Sequence, residues 1–324
     1  VKQDIKTRLS RSGIQPVMAA SFGAGSRTGE ITELSGGLFN SAYAIDLPER
    51  NIETVLRVAP FASMPLLTYE KHLMRTEVAC YQLLKARTAI PLPELYQYDF
   101  SGAVILADYM FTGRLKGVPL KEVESTLPGE VYQSLAYELG QYTAQIHAVG
   151  GESFGYFSDA ADDTWRAAFL RMSARLLDDA ARFAAPLPRQ ADDIQRILEQ
   201  HAAVLDAIRE PRLLHGDLWD ANVFVVQRGQ GWAIEAIIDC DRAIWGDPDM
   251  EYSLMFRAHQ PRFFEGYGRP LSTAPDAQRR RQLYLAYLYL LITVEVSGHI
   301  QAVDRLNWAV EQLTGTLDAL ASPT

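Results

Sequence analysis

The hydrophobic period of this chain is mostly that of short strands in the first third and mostly helical after it, and that division limits the folds open to it. In the first third, apolar residues come in brief β-compatible runs at 31–34, 41–47 and 54–58, separated by Gly, Pro and Asn. The turn at 46–51 carries Pro48 and joins two of these runs as a hairpin. One segment, 66–87, takes helical spacing instead, with Met74, Val78, Tyr81 and Leu84 on a single stripe. A further apolar run at 103–107 reads as a strand that ends in a linker over 108–113. From residue 130 onward the pattern is largely helical: 131–149 repeats Val131, Leu135, Leu139, Tyr142 and Ile146 before Gly150 and Gly151 stop it. Two more amphipathic stretches, 162–183 and 192–208, are separated by the Pro-rich piece 185–189, and two short strands, 223–226 and 234–238, flank a glycine-containing turn. A small antiparallel sheet with a helix, followed by a mainly helical body, predicts an α+β chain. Its parts are an N-terminal lobe 1–107, a hinge 108–113 and a C-terminal lobe 114–324.

Composition excludes several classes of function. At 324 residues, 48% of them hydrophobic, the chain can bury a full core. A net charge of -9 argues against nucleic acid or an anionic membrane as partner and suits a cationic small molecule. Cys80 and Cys240 lie far apart with no Cys-x-x-Cys spacing, so neither a disulfide framework nor a thiolate zinc site is expected. No stretch reaches the roughly 18 apolar residues of a membrane helix, and 1–12 is polar, without a signal-peptide core. The expectation is a cytoplasmic protein, monomer or homodimer.

The strongest chemical signal is His215-Gly216-Asp217-Leu218-Trp219-Asp220-Ala221-Asn222, followed after the predicted hairpin by Ile238-Asp239-Cys240-Asp241. Phosphoryl transfer needs one carboxylate near the acceptor hydroxyl and oxygen ligands that grip a metal bridging the phosphates. A loop of this length can turn Asp217 toward an acceptor and Asn222 toward a metal, and the hairpin returns Asp239 to the metal's other side. Singly, each residue is a commonplace turn or strand-end residue. Together, in this order and spacing, they form a constellation.

The pattern His-Gly-Asp-x-x-x-x-Asn followed by Ile-Asp resembles the aminoglycoside phosphotransferase and fructosamine kinase superfamily of small-molecule kinases, which shares the protein-kinase fold. The resemblance runs in pieces from about residue 30 to 254. It implies a two-lobed protein-kinase-like fold and transfer of the γ-phosphoryl group of ATP, with GTP left open, to a small-molecule hydroxyl. In that scheme Asp217 is the base and Asn222 and Asp239 hold Mg2+. The Leu-Trp after Asp217 looks like fructosamine kinases, and Trp245-Gly246-Asp247-Pro248 like the broad bacterial group. The resemblance makes His215 a structural residue and Asp247 a network carboxylate, and Glu251 stands where the family usually has Asp.

The nucleotide end is less sharply written. Ser35, Gly36, Gly37 and Asn40 lie between two strand runs, where glycine would let backbone N–H groups approach phosphate. The competing glycine-rich segment 23–29 lacks a preceding strand and a following helix, so it is not a dinucleotide loop. Arg57 stands where the resembling families carry the phosphate-binding lysine; strand alternation points it inward, where it needs an anionic partner. Glu77, beside the buried stripe of the helix, is the predicted partner, with Glu70 as fallback. Asp108 and Met110 resemble the hinge whose backbone meets adenine. His147 reads as a packed helix-end histidine. For the acceptor, Asp241, Trp219, Trp245 and Asp249 are the candidates, within a wider acidic set that includes Glu295. The expected acceptor is an aminoglycoside-like or other amine- or sugar-bearing antibiotic; the alternatives are a metabolic kinase for fructosamine, choline, homoserine or a thiosugar, and a catalytically silent nucleotide-binding module.

Overall fold

A computed structural model describes residues 5–35, 37, 39–229, 231–254, 260–300 and 302–322. The N-terminal part is a five-stranded antiparallel sheet of order β1-β2-β3-β5-β4, built from β1 (Ile31–Glu33), β2 (Ser41–Leu47), β3 (Ile52–Val58), β4 (Leu95–Asp99) and β5 (Tyr109–Gly113). One face is covered by α1 (Arg11–Phe22), capped by Ser10, whose hydroxyl accepts the Gly13 N–H at 3.1 Å. Ile14, Val17, Met18 and Phe22 of α1 pack on Tyr43, Ile45, Leu56 and Phe111. The sequence reading has no counterpart for α1, because its polar flanks hide a short apolar stripe. The helix expected over 66–87 is α2 (Leu73–Arg87), shorter at its start. Residues 66–72 turn instead and carry Leu67 into the large C-terminal core.

The boundary between the two parts differs from the expectation. Residues 103–107 form no strand: Val104, Ile105 and Ala107 are apolar because they pack against the α1 face of the sheet. Residues 109–113 are no linker but the strand β5, paired on both sides, with Met110 opposite Arg57 on β3 and Tyr98 on β4. The connection follows one strand later, over 114–117. Its Lys116 and Gly117 N–H groups donate to the Glu235 carboxylate.

The helical part contains β6 (Val118–Pro119), α3 (Leu120–Val123), α4 (Gly129–Ala148), β7 (Gly155–Tyr156), α5 (Trp165–Arg182) and α6 (Ala191–His201). After them come β8 (Arg212–Leu214), the hairpin β9 (Val223–Arg228) and β10 (Gly231–Ile237), β11 (Ile244–Gly246) and α7 (Pro248–Leu254). The chain ends in α8 (Pro261–Tyr267), α9 (Pro275–Glu295) and α10 (Val303–Ala321). The predicted hairpin is present, with a bulge between Ile234 and Ala236. Helices α4 and α8 touch backbone to backbone: a Cβ on Gly140 would lie 2.1 Å from the Phe263 carbonyl, and one on Gly266 would lie 2.0 Å from that of Tyr137. Two glycines facing opposite ways therefore set this helix spacing. One apolar cluster runs from Cys80, Tyr81 and Leu84 of α2 through Leu213, Leu218, Val223 and Ile237, so the N-terminal helix and the β8–β10 segment share one core.

Candidate active site

Strand β8 delivers the chain into the loop 215–222 through a tight corner. Gly216 has φ +81, and a Cβ there would stand 2.1 Å from the Arg242 carbonyl, so only glycine fits. His215 is buried; its Nδ1 accepts the Asp217 N–H at 3.3 Å, which leaves Nε2–H to donate to the Ile238 carbonyl at 2.9 Å. Burial lowers its pKa, so it is a neutral brace between loop and hairpin. Glu251, wholly buried on α7, accepts the His215 N–H at 2.6 Å and the Gly216 N–H at 3.1 Å. The longer side chain at position 251 thus reaches the loop backbone, a tie that sequence alone left unresolved.

Asp217 and Asn222 meet: the Asn222 Nδ2 donates to the Asp217 Oδ2 at 3.0 Å and to its backbone carbonyl at 2.8 Å. The Ile238 N–H donates to the Asn222 carbonyl at 3.0 Å, so Asp239 follows directly alongside. Asp239 adopts φ +61, and its carboxylate Oδ1 lies 2.7 Å from Arg57 Nη2. The other guanidinium nitrogen of Arg57 lies 2.5 Å from Glu77 Oε1. The inward arginine and its helix partner are therefore in contact, as strand alternation requires, while Glu70 instead accepts from Leu67 N–H and pairs with His299. Tyr81 donates its hydroxyl to Glu77 Oε1 at 2.8 Å and accepts the Asp239 N–H at 3.2 Å, which ties α2 to the hairpin end.

Burial raises the Asp217 pKa to about 6; Arg242 and the Asn222 hydrogen bond oppose the rise, Glu295 and Asp239 add to it. Burial, with Asp239 and Glu77 beside it, holds the Asp241 carboxyl well above its ordinary range. On Arg57, Asp239 and Glu77 overcome the burial that would discharge it, and its pKa rises. Burial also raises that of Glu77 against the opposing Arg57 charge.

The donor set fits a hard divalent cation. The Asn222 amide nitrogen is spent on Asp217, which leaves its oxygen for a metal, and Asp239 pairs with Arg57 through Oδ1, which leaves its second carboxylate oxygen for the ion.

Other predicted residues fall elsewhere. Ser35 and Gly37 are exposed in the β1–β2 turn, Gly37 with φ +55, and Asn40 is buried with its Oδ1 unpartnered; Gly36 lies outside the described residues. Asp108 is held by Arg75 at 2.7 Å and its carbonyl accepts from Ala59, while Met110 is fully buried with its backbone inside the sheet. Met110 therefore lies inside strand β5 and not in the linker expected over 108–113. Trp245 stacks on Phe157 with centroids 5.5 Å apart and fills the space over Gly151, so it is a core residue. Asp249 is buried in an ion network with Arg281 at 3.2 Å, Arg269 at 3.9 Å and Arg280 at 4.0 Å, away from the loop 215–222. Trp219, 43% exposed, and Asp241 stay with the loop. Unforeseen were Arg242 and Tyr69. Arg242 Nη1 is 2.7 Å from Glu295, its guanidinium lies 5.5 Å from the Tyr69 ring centroid, and Tyr69 also donates to Glu295. Position 242, three residues past Asp239, was the available signal.

A family model described as the phosphotransferase enzyme family matches residues 30–284. The chain belongs to this family. It is a small-molecule kinase with a hydroxyl acceptor, in a protein-kinase-like fold. Over 292 residues it is 24% identical to a protein of Vibrio parahaemolyticus named as a ketoamine kinase, covering 83% of this chain and 89% of that one. A protein named protein-ribulosamine 3-kinase from Oryza sativa subsp. japonica is 33% identical over 101 residues, 31% of this chain and 28% of the relative. In fold, the chain resembles a structure titled as a fructosamine-3-kinase of Haemophilus somnus, with TM-score 0.68 and 16% identity over 95% of this chain and 97% of that one. It also resembles a thermostable mutant of aminoglycoside phosphotransferase APH(4)-Ia in ternary complex with AMP-PNP and hygromycin B, with TM-score 0.67 and 19% identity over 96% and 100%. Among the described residues no helix is long and apolar enough to cross a membrane.

Proposed function

We propose that this kinase transfers the γ-phosphoryl group of ATP, with magnesium, to a hydroxyl of a sugar-derived amine of the ketoamine class. The observation that carries the chemistry is the Asp217–Asn222 contact beside Arg57, Glu77 and Asp239. Asp217 accepts or steers the acceptor hydroxyl proton; a pKa near 6 leaves it ionised at neutral pH and still basic enough to take part. Asn222 and Asp239 are the residues that would hold magnesium, which when bound neutralises charge on the phosphate oxygens. Arg57 is placed by Glu77 to meet phosphate in the bidentate manner of a guanidinium. Glu251 and His215 hold the loop so that Asp217 meets the acceptor in one orientation.

The acceptor class rests on the relatives named as ketoamine kinases, and Trp219, 43% exposed beside Asp217, gives a face for a sugar ring. The fold shared with a hygromycin-bound phosphotransferase supports antibiotic phosphorylation as a second reading. Purified protein with Mg-ATP, assayed for ADP release and product mass against ketoamines of sugars with lysine, unmodified amino acids, and aminoglycosides, separates the two. Turnover on ketoamines that is lost in Asp217→Asn is the expected result. Turnover confined to aminoglycosides would transfer the assignment to antibiotic resistance, and no turnover on any acceptor would overturn the proposal.

A further inference from the structure

On the helical part, in a place lined by neither Asp217, Asn222 nor Asp239, a cavity of about 480 Å³ opens between the end of α4, the segment before β8, and the start of α9. Its volume is that of a small-ligand site. Arg209, Arg212, Arg269 and Arg280 line it, in a chain whose net charge is -9, so the cationic lining is not a by-product of composition. Three carboxylates also line it, and each is already engaged. Asp247 accepts from the Asp249 N–H at 3.0 Å, Arg280 at 3.0 Å and Tyr284 at 2.7 Å. Asp249 takes Arg281 at 3.2 Å, and Glu210 takes Arg212. Counting Arg281 behind the wall, five guanidinium groups meet three carboxylates. Arg209 is exposed at the mouth, and Arg269, 57% exposed, lies over the Tyr267 ring at 5.5 Å and 3.9 Å from Asp249, a long pairing that leaves part of its guanidinium facing the opening.

The inner wall leads to the catalytic loop. The Tyr267 hydroxyl and His147 Nδ1 are 2.9 Å apart; the Nε2 of His147, a side chain only 2% exposed, has no hydrogen-bond partner and sits 3.6 Å from Glu251 Oε2. That same oxygen accepts the His215 N–H. Three side chains, Tyr267, His147 and Glu251, thus connect the cavity to the backbone that aims Asp217.

We propose that this cavity is a second binding site, for a phosphate monoester of sugar size, and that its occupancy is felt at the His215–Gly216 backbone through Tyr267, His147 and Glu251. Paired guanidinium groups match phosphate oxygens, the proline and tyrosine wall offers an apolar surface for a ring, and the volume exceeds what inorganic phosphate alone would fill.

The full chain, saturated with Mg-AMP-PNP so that the nucleotide cleft is taken, is titrated calorimetrically with glucose 6-phosphate, and in parallel with glucose and with citrate. The expected result is saturable binding of glucose 6-phosphate alone, weakened at least tenfold in Arg269→Gln and in Arg209→Ala. Both side chains are exposed, so both variants fold. Absence of binding, equal binding in the variants, loss of binding when AMP-PNP is present, or equal binding of citrate would each overturn the site as described. Amide hydrogen exchange at His215 and Gly216 then reads the coupling: a change on adding glucose 6-phosphate that disappears in Tyr267→Phe supports it, and unchanged exchange in the liganded wild type refutes it.

Discussion

Replacing Arg57 with Ala leaves Glu77 wholly buried without its cation, and the cost can be bounded from the carboxylate itself. A buried unpaired Glu77 has a cheaper option than staying charged, which is to take up a proton. From the ordinary value of 4.5, protonation at pH 7 spans about 2.5 pH units, and at 1.36 kcal/mol per unit the ceiling is about 3.4 kcal/mol. At pH 5 the same ceiling is only about 0.7 kcal/mol. The sign follows from linkage: the variant's Glu77 has a folded-state pKa raised above its unfolded value, so the penalty is absent below that unfolded value and grows as pH rises toward the folded one. Urea unfolding of wild type and Arg57→Ala at pH 7 and pH 5 measures the difference, and wild type at each pH cancels every other titrating group. Arg57→Ala should lose about 3 kcal/mol at pH 7 and under about 1 kcal/mol of that electrostatic part at pH 5. With Glu77→Gln as background, the Glu77 share of the pH dependence should vanish, because the amide cannot titrate, and only what the second partner, Asp239, contributes should remain. An equal loss at both pH values in the Glu77 background would refute the reasoning and leave Arg57 as a packing residue.

Further outcomes are expected at three positions, Asp217, Gly216 and Glu251. The kcat/KM profile should have an acid limb near pH 6, set by Asp217, and Asp217→Asn should lose transfer by at least a thousandfold. That variant should also gain stability, up to about 3 kcal/mol at pH 7.5 and none below the ordinary 3.8, because a raised carboxyl costs stability only above its unfolded pKa; denaturation at both pH values checks it. Gly216→Ala, which forces a Cβ to 2.1 Å from the Arg242 carbonyl at φ +81, should cost more than about 3 kcal/mol, read as a lowered melting temperature. Glu251→Gln keeps one acceptor oxygen but turns an amide donor toward one of the two backbone N–H groups, so stability should fall by about 2 kcal/mol and turnover by tenfold or more, with Mg-ATP affinity unchanged by calorimetry.

Much of this site could be read before any fold was known. The loop from His215 to Asn222 and the returning Asp239 are local in sequence, joined by a short hairpin, so their meeting is a matter of chain length and turn chemistry. The Arg57–Glu77 contact was also legible, since an inward charge on a strand and a charge on a buried helix stripe each demand a partner. The hinge was not. Val104, Ile105 and Ala107 are apolar because they cover the sheet, and an apolar run that packs cannot be told by periodicity from one that pairs. Trp245 and Asp249 show the same limit: an aromatic or an acid near a motif is assigned to the site or to the core by what faces it, here Phe157 and Gly151 for one and Arg281 for the other.

The amino-acid order by itself determined the class of chemistry and the meeting of Asp217 with Asn222 beside Asp239, because a loop and hairpin bring those groups together over fewer than 30 positions. Only the tertiary structure decided which long-range groups tune them: Glu251 under the loop, Arg242 against Glu295 and Tyr69, and the arginine-lined cavity beyond His147. Glu251 and Glu295 come from helices separated from the loop in sequence, and a helix face shows its apolar stripe in the sequence without showing which neighbour it will meet.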